Sequence, residues 1–276
     1  MLKRVLTGVI ALIIFIPFLV FSDTLALPLG FALCAVIAVW EVLHSVGLHK
    51  NIWLSIPLYP MAAALPVLMR VVGADMTIKI GVMAFLLVVL YGLAVCVFSH
   101  GKVTVTEMCT AVLMVLYATA GLTGVIYLRD FHEGGGAIYL LIFIGAWITD
   151  TFAYFTGMLL GKHKLIPDVS PKKTVEGSIG GMIFCTLAFL VFTFIYNQYL
   201  LPEGGRAIPY LVMIPVGLVA SVVSQVGDLS MSVLKRHYGI KDFGKIFPGH
   251  GGILDRFDSV IAVSILLSCV LGVALG

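Results

Sequence analysis

An all-α, polytopic integral membrane fold is what the sequence predicts, on three observations. Of its 276 residues, 61% are hydrophobic and 11% charged, and the mean hydropathy is +1.11, which does not describe a soluble chain. The apolar residues gather into nine runs, each near the ~20 residues that a helix needs to cross a bilayer. The runs are far longer than the roughly ten-residue strands of a membrane barrel, and backbone polar groups in lipid must be satisfied within their own segment, so helices are expected. Nine spans take up roughly 180 positions and leave no room for a sizeable water-soluble domain. A single membrane-embedded domain, 1–276, is therefore expected, with helices of weak motif content in 1–133 and catalytic helices and loops in 134–276.

In chain order the runs are Val5–Phe21, Leu25–Val46, Ile52–Val72, Ile78–Phe98, Val105–Leu128, Ala137–Leu160, Ser178–Leu201, Ile208–Val226 and Ser259–Leu275. Lys3 and Arg4 precede the first as they would in a signal peptide. No small-x-small cleavage site follows Phe21, however, and Ser22-Asp23-Thr24 leads straight into the next run, so the segment is expected to be retained. Nine spans put 13 of the 17 Lys and Arg residues on one side and leave Arg70, Lys79, Arg129 and Arg206 on the other. The positive-inside rule then predicts a cytoplasmic N-terminus and an external C-terminus, with the basic loops in the cytoplasm. A net charge of +3 spread in this way does not suggest nucleic acid. The five cysteines lack the paired spacing of a zinc site or disulfide framework.

Two cytoplasmic loops carry most of the charge, Gly161–Gly177 and Gly227–Asp258. In the second, Asp228, Asp242, Asp255 and Asp258 lie among Lys235, Arg236, Lys241, Lys245 and Arg256. Such a mixture suits a Mg²⁺ polyphosphate: Mg²⁺ takes one or two carboxylates and fills its remaining positions with water and phosphate, and basic side chains hold the other phosphates. The same composition also describes a solvated positive-inside loop with incidental ion pairs. Pro248-Gly249-His250-Gly251-Gly252 favours the first reading, because it offers a compact turn whose N–H groups can approach an anion without Cβ obstruction. It is neither a P-loop nor a dinucleotide fingerprint. Asp150 stands near the middle of its run, about 15 Å from the end at Leu160, where an acid normally faces protein or a wet cavity and marks function. The bland alternative is a neutral carboxyl bonded to Thr149 or Thr151. Gly157 and Gly161 form a small-xxx-small face that would admit a neighbouring helix closely, and Gly-rich faces leave room for a homodimer.

The segment SVLKRHYGIKDFGKIFPGHGGILDRFD, Ser232 to Asp258, resembles the signature of the phosphatidate cytidylyltransferases, also called CDP-diacylglycerol synthases. Its elements S-x-x-K-R, K-D, P-x-H-G-G and D-R-x-D stand at the family spacing. The resemblance extends to Gly227-Asp228-Leu229, to SPKKTVEG (Ser170–Gly177) and to DTFAYFTGMLLGKHKL (Asp150–Leu165). One departure is Met231, where bacterial members commonly carry an acid before the serine.

The resemblance implies transfer of a cytidylyl group from CTP to phosphatidate in phospholipid biosynthesis, giving CDP-diacylglycerol and pyrophosphate. Mg²⁺ is implied, with K⁺ the candidate for a second cation. It implies catalytic roles for Asp228, Asp255 and Asp258 beside Asp150, with Asp228 and Asp255 as metal ligands. Phosphate contacts are implied for Lys172, Lys173, Lys235 and Arg236. Ser170, His250, Gly251, Gly252 and Arg256 complete the implied substrate-binding set. The implied partners are CTP, phosphatidate and membrane lipids.

Two other enzyme readings are a relative acting on another lipid phosphate and a CTP-dependent polyprenol kinase; the P-x-H-G-G-x-x-D-R-x-D ending favours phosphatidate. The D-G-x-x-A-R core of a CDP-alcohol phosphotransferase is absent. A secondary transporter would suit nine spans and Asp150, but it concentrates polar groups at the midplane, whereas here the densest charge cluster is in a loop.

Overall fold

The computed structural model describes residues 13, 15–131, 136–201, 207–247, 249 and 251–275, with side chains described as far as 271. Most of the first apolar run lies outside them. Among the described residues eight helices follow: α1 (Ala26–Ser45), α2 (Ile52–Val71), α3 (Ala74–Phe98), α4 (Val105–Asp130), α5 (Leu140–Leu160), α6 (Val175–Ile195), α7 (Tyr210–His237) and α8 (Leu254–Leu275). A short antiparallel hairpin, β1 (Lys164–Ile166) and β2 (Ser170–Thr174), joins α5 to α6. Among the described residues α1 to α7 are long and apolar enough to cross a membrane, α6 together with the π-turn Tyr196–Leu200 that continues it. The all-α membrane fold holds, with seven such helices among the described residues.

The chain divides into two compact units, Met1–Tyr127 with His237–Arg256, and Leu128–Arg236 with Phe257–Gly276. In the first, local chemistry sets the helix ends. After α1, Leu48 N–H donates to the Leu43 carbonyl (2.8 Å) and Gly47 N–H to His44 (3.2 Å), with Gly47 at φ 81°. This is a Schellman stop, in which glycine takes the left-handed position. Asn51 caps α2 by accepting from Leu54 N–H at 3.2 Å. Thr104 and Glu107 form a reciprocal capping box at the start of α4 (3.2 and 3.0 Å). Arg70, at the far end of α2, donates to the carbonyls of Ser22, Asp23 and Thr24 at 2.8 to 2.9 Å. In α3 only Thr77, Val88 and Gly92 are fully buried, and many of its other apolar side chains are exposed.

In the second unit α5 and α6 pack closely through small residues. A methyl group on Gly177 would come 2.5 Å from the Ala153 carbonyl, and one on Gly181 would come 3.0 Å from the Thr149 carbonyl. Gly157 faces Thr174 and Gly177, so the expected small-residue face is occupied within the chain by α6. Phe152 and Phe184 stack across the same contact, with ring centroids 4.0 Å apart.

The structure redraws the second charged loop. The run expected to end at Val226 continues as α7 to His237, so Asp228, Lys235 and Arg236 are helical. Leu229, Met231 and Leu234 favour helix, Lys235 and Arg236 suit the negative end of its dipole, and Gly239 at φ 64° follows the stop. At the other end α8 begins at Leu254, which makes Asp255 and Asp258 helical as well. The loop proper is the segment between these helices. Similarly, α6 starts at Val175, inside the first charged loop.

Candidate active site

In the second unit, β2 brings Lys173 onto Asp228 of α7 as an ion pair, with the two side chains 25% and 28% exposed. The hairpin that holds Lys173 is itself tied down. Thr174 Oγ1 caps α6 by accepting from Gly177 N–H at 3.1 Å. The Glu176 carboxylate accepts the N–H groups of Lys162 (3.0 Å) and His163 (3.2 Å), and pairs with His163 Nδ1 at 2.6 Å. Lys172 is exposed while Lys173, next along β2, is half-buried against Asp228.

Gly227, just before Asp228, lets α7 and α8 approach: a methyl there would lie 2.6 Å from Ala262 Cβ and 3.0 Å from the Asp258 carbonyl. Asp258 is consequently buried, at 8% exposure. One of its oxygens accepts from Ser259 N–H at 2.7 Å, and it feels the charges of Asp228, Asp150 and Lys235. Ser259 Oγ donates to Asp150 Oδ2 at 3.3 Å. Asp150 is exposed halfway along α5, and Thr149 donates instead to Ser221 Oγ at 3.0 Å. Gln225 reaches the Ser178 carbonyl at 3.4 Å. Ser221, Gln225 and Asp228 share one face of α7, so this buried polar contact sets the rotation at which α7 presents Asp228.

In the first unit, Asp255 Oδ2 accepts from Phe243 N–H (2.8 Å) and Gly252 N–H (2.9 Å). The Gly252 N–H that the sequence offers to an anion is thus engaged by a carboxylate of the chain itself. Phe247 N–H donates to the Gly251 carbonyl at 2.9 Å, with Gly249 at φ 79° and Gly251 at φ 85°, positions that demand glycine. His250 lies outside the described residues. Arg236 and Arg256 are exposed, Lys235 is half-buried, and Ser170 opens β2 opposite Ile166. Met231 is a buried apolar side chain at 1% exposure.

The cluster of Asp228, Asp258 and Asp150 with Lys173 and Lys235 is therefore in place, and Asp255 is fixed by its own loop. Sequence reasoning overlooked Glu176, Ser259, Gln225 and Glu41, whose carboxylate accepts from Ile253 and Leu254 N–H at 2.8 Å each. Among the described residues no group of three or more His, Cys, Asp or Glu side chains converges as a ready metal cage.

The sequence matches the cytidylyltransferase family over residues 2–274. The chain belongs to the cytidylyltransferase family. Curated relatives agree over nearly their whole length. The phosphatidate cytidylyltransferase of Staphylococcus epidermidis is 35% identical over 272 residues, covering 97% of this chain and 98% of the relative. Those of Staphylococcus saprophyticus and Staphylococcus aureus are 36% and 35% identical over 274 residues, with the same coverage. Membership reaches the N-terminal helices, where the motifs recognised in the sequence do not, and so brings Glu41 within a cytidylyltransferase.

Proposed function

We propose that this cytidylyltransferase joins CTP and phosphatidate to give CDP-diacylglycerol and pyrophosphate at the cytoplasmic face of a bacterial inner membrane. The observation that carries this reading is the ion pair between Lys173 and Asp228, beside Asp258 and Asp150. It supports the reading because a candidate phosphate-binding lysine and a candidate cation-binding carboxylate meet in one unit.

A phosphatidate oxygen attacks the α-phosphorus of CTP; the new P–O bond forms as the bond to the β-phosphate oxygen breaks, and pyrophosphate departs with that electron pair. The nucleophile is already ionised, so no general base is needed, and catalysis rests on bringing two anions into line and offsetting their repulsion. Lys173 and Lys235 supply positive charge for phosphates from the inner side of the cluster, with Lys172 and Arg236 on exposed positions. Asp228 and Asp258 in the second unit, and separately Asp255 in the first, each offer only oxygen, the ligand type that Mg²⁺ takes, with K⁺ the candidate for a second cation. Bound Mg²⁺ would neutralise charge on the triphosphate. Asp150 is joined to the cluster through the Ser259 hydroxyl.

Purified protein is expected to release pyrophosphate from CTP only when phosphatidate and Mg²⁺ are both present. Solute accumulation in proteoliposomes without CTP turnover would overturn the reading in favour of transport.

A further inference from the structure

Glu41 lies one turn before the end of α1, in the N-terminal half where the sequence shows no motif. Its side chain is completely buried. A carboxylate removed from water must be met by donors, and here Oε1 accepts from Ile253 N–H and Oε2 from Leu254 N–H, both at 2.8 Å. These are among the first N–H groups at the start of α8, which have no partner inside the helix and carry its positive dipole end. Glu41 thus caps α8 from more than two hundred residues away.

The capping carboxylate also accounts for two glycines. A Cβ on Gly252 would fall onto the Glu41 carboxylate, whose atoms are the three nearest, and a Cβ on Gly244 would collide with Glu41 Oε1. Gly252 N–H in turn donates to Asp255 Oδ2, which Phe243 N–H shares. The contact therefore runs from Glu41 through Gly252–Leu254 to Asp255, all within one unit.

We propose that Glu41 is a positioning residue for cytidylyl transfer: it anchors the start of α8 and so sets where the Asp255 carboxylate stands. This rests on the cytidylyltransferase reading above. Misplacing a reacting constellation by about 1 Å can cost on the order of a hundredfold in rate, so a measurable kinetic effect is expected although Glu41 touches no substrate.

The test uses the full-length protein in detergent. Glu41→Gln keeps the shape but turns an NH₂ toward one of the two N–H donors. It should raise amide hydrogen exchange across residues 243–255, increase the Mg²⁺ needed for half-maximal activity, and lower kcat roughly ten- to hundredfold, with KM for phosphatidate little changed. Wild-type exchange together with wild-type Mg²⁺ dependence would overturn the proposal. A double-mutant cycle gives a second measurement: Gly252→Ala should be harmful because its methyl meets the carboxylate, and should add little loss once Glu41→Ala has removed that carboxylate. Losses that multiply in the double variant would also overturn it. A wild-type protein that forms no CDP-lipid would defeat the activity reading instead, leaving the exchange data to decide whether Glu41 holds the segment.

Discussion

Lys173 and Asp228 come from different parts of the chain, one on the hairpin before α6 and the other on α7, and the fold closes them into a direct ion pair. Neither segment alone supplies both a phosphate-binding cation and a metal-binding carboxylate. Removing Lys173 should therefore weaken CTP use. Loss of one charged phosphate contact costs about 1.5 to 3 kcal/mol, or roughly a ten- to hundredfold fall in kcat/KM for CTP. Lys172→Ala, on the exposed face of β2, is expected to weaken CTP use too, with phosphatidate binding affected less in both variants. Kinetics per folded molecule decide the matter, and unchanged values in both would sink the shared-triphosphate arrangement.

Asp228→Asn, Asp255→Asn and Asp258→Asn should each nearly abolish CDP-lipid formation in protein that stays monodisperse. The amides retain size but not the charge that draws Mg²⁺. Titrating Mg²⁺ against turnover checks each residue separately. Ordinary turnover at ordinary Mg²⁺ by any one of the variants removes that residue from the metal role.

Cysteine-accessibility labelling should find positions beside Lys172 and Lys241 cytoplasmic and positions beside Asp130 and Glu203 external. Labelling in the opposite sense would put the basic hairpin out of reach of cytosolic CTP.

Gly181→Val should destabilise the protein by about 1 to 3 kcal/mol, the usual cost of forcing extra carbon into a closed interface. Already at its Cβ the new side chain meets the Thr149 carbonyl, the Thr149 methyl and the Ala153 methyl within 3.3 Å. Thermal unfolding in detergent measures this, and an unshifted midpoint would contradict the close α5–α6 contact.

The membrane helices and the principal charged residues were legible from hydropathy and from the Ser232–Asp258 signature. The extension of α7 through Asp228 and Arg236 was not, because the apolar run stops at Val226 while the helix continues through charged residues, Asp228 and Lys235 among them half-buried. The hairpin around Lys173 was hidden for a different reason: it depends on Glu176, whose partners Lys162 and His163 lie across the turn. Glu41 reads in sequence as one acid in an apolar run. Its meaning comes from backbone N–H groups of a distant segment, and backbone donors leave no trace in residue identity.

The grip of Arg70 on the carbonyls of Ser22, Asp23 and Thr24 bears on how the protein is made. Those acceptors are synthesised long before the guanidinium that serves them. These three hydrogen bonds cannot form until the far end of α2 has been synthesised, so this turn acquires its guanidinium clamp only after both helices that flank α1's C-terminal loop exist.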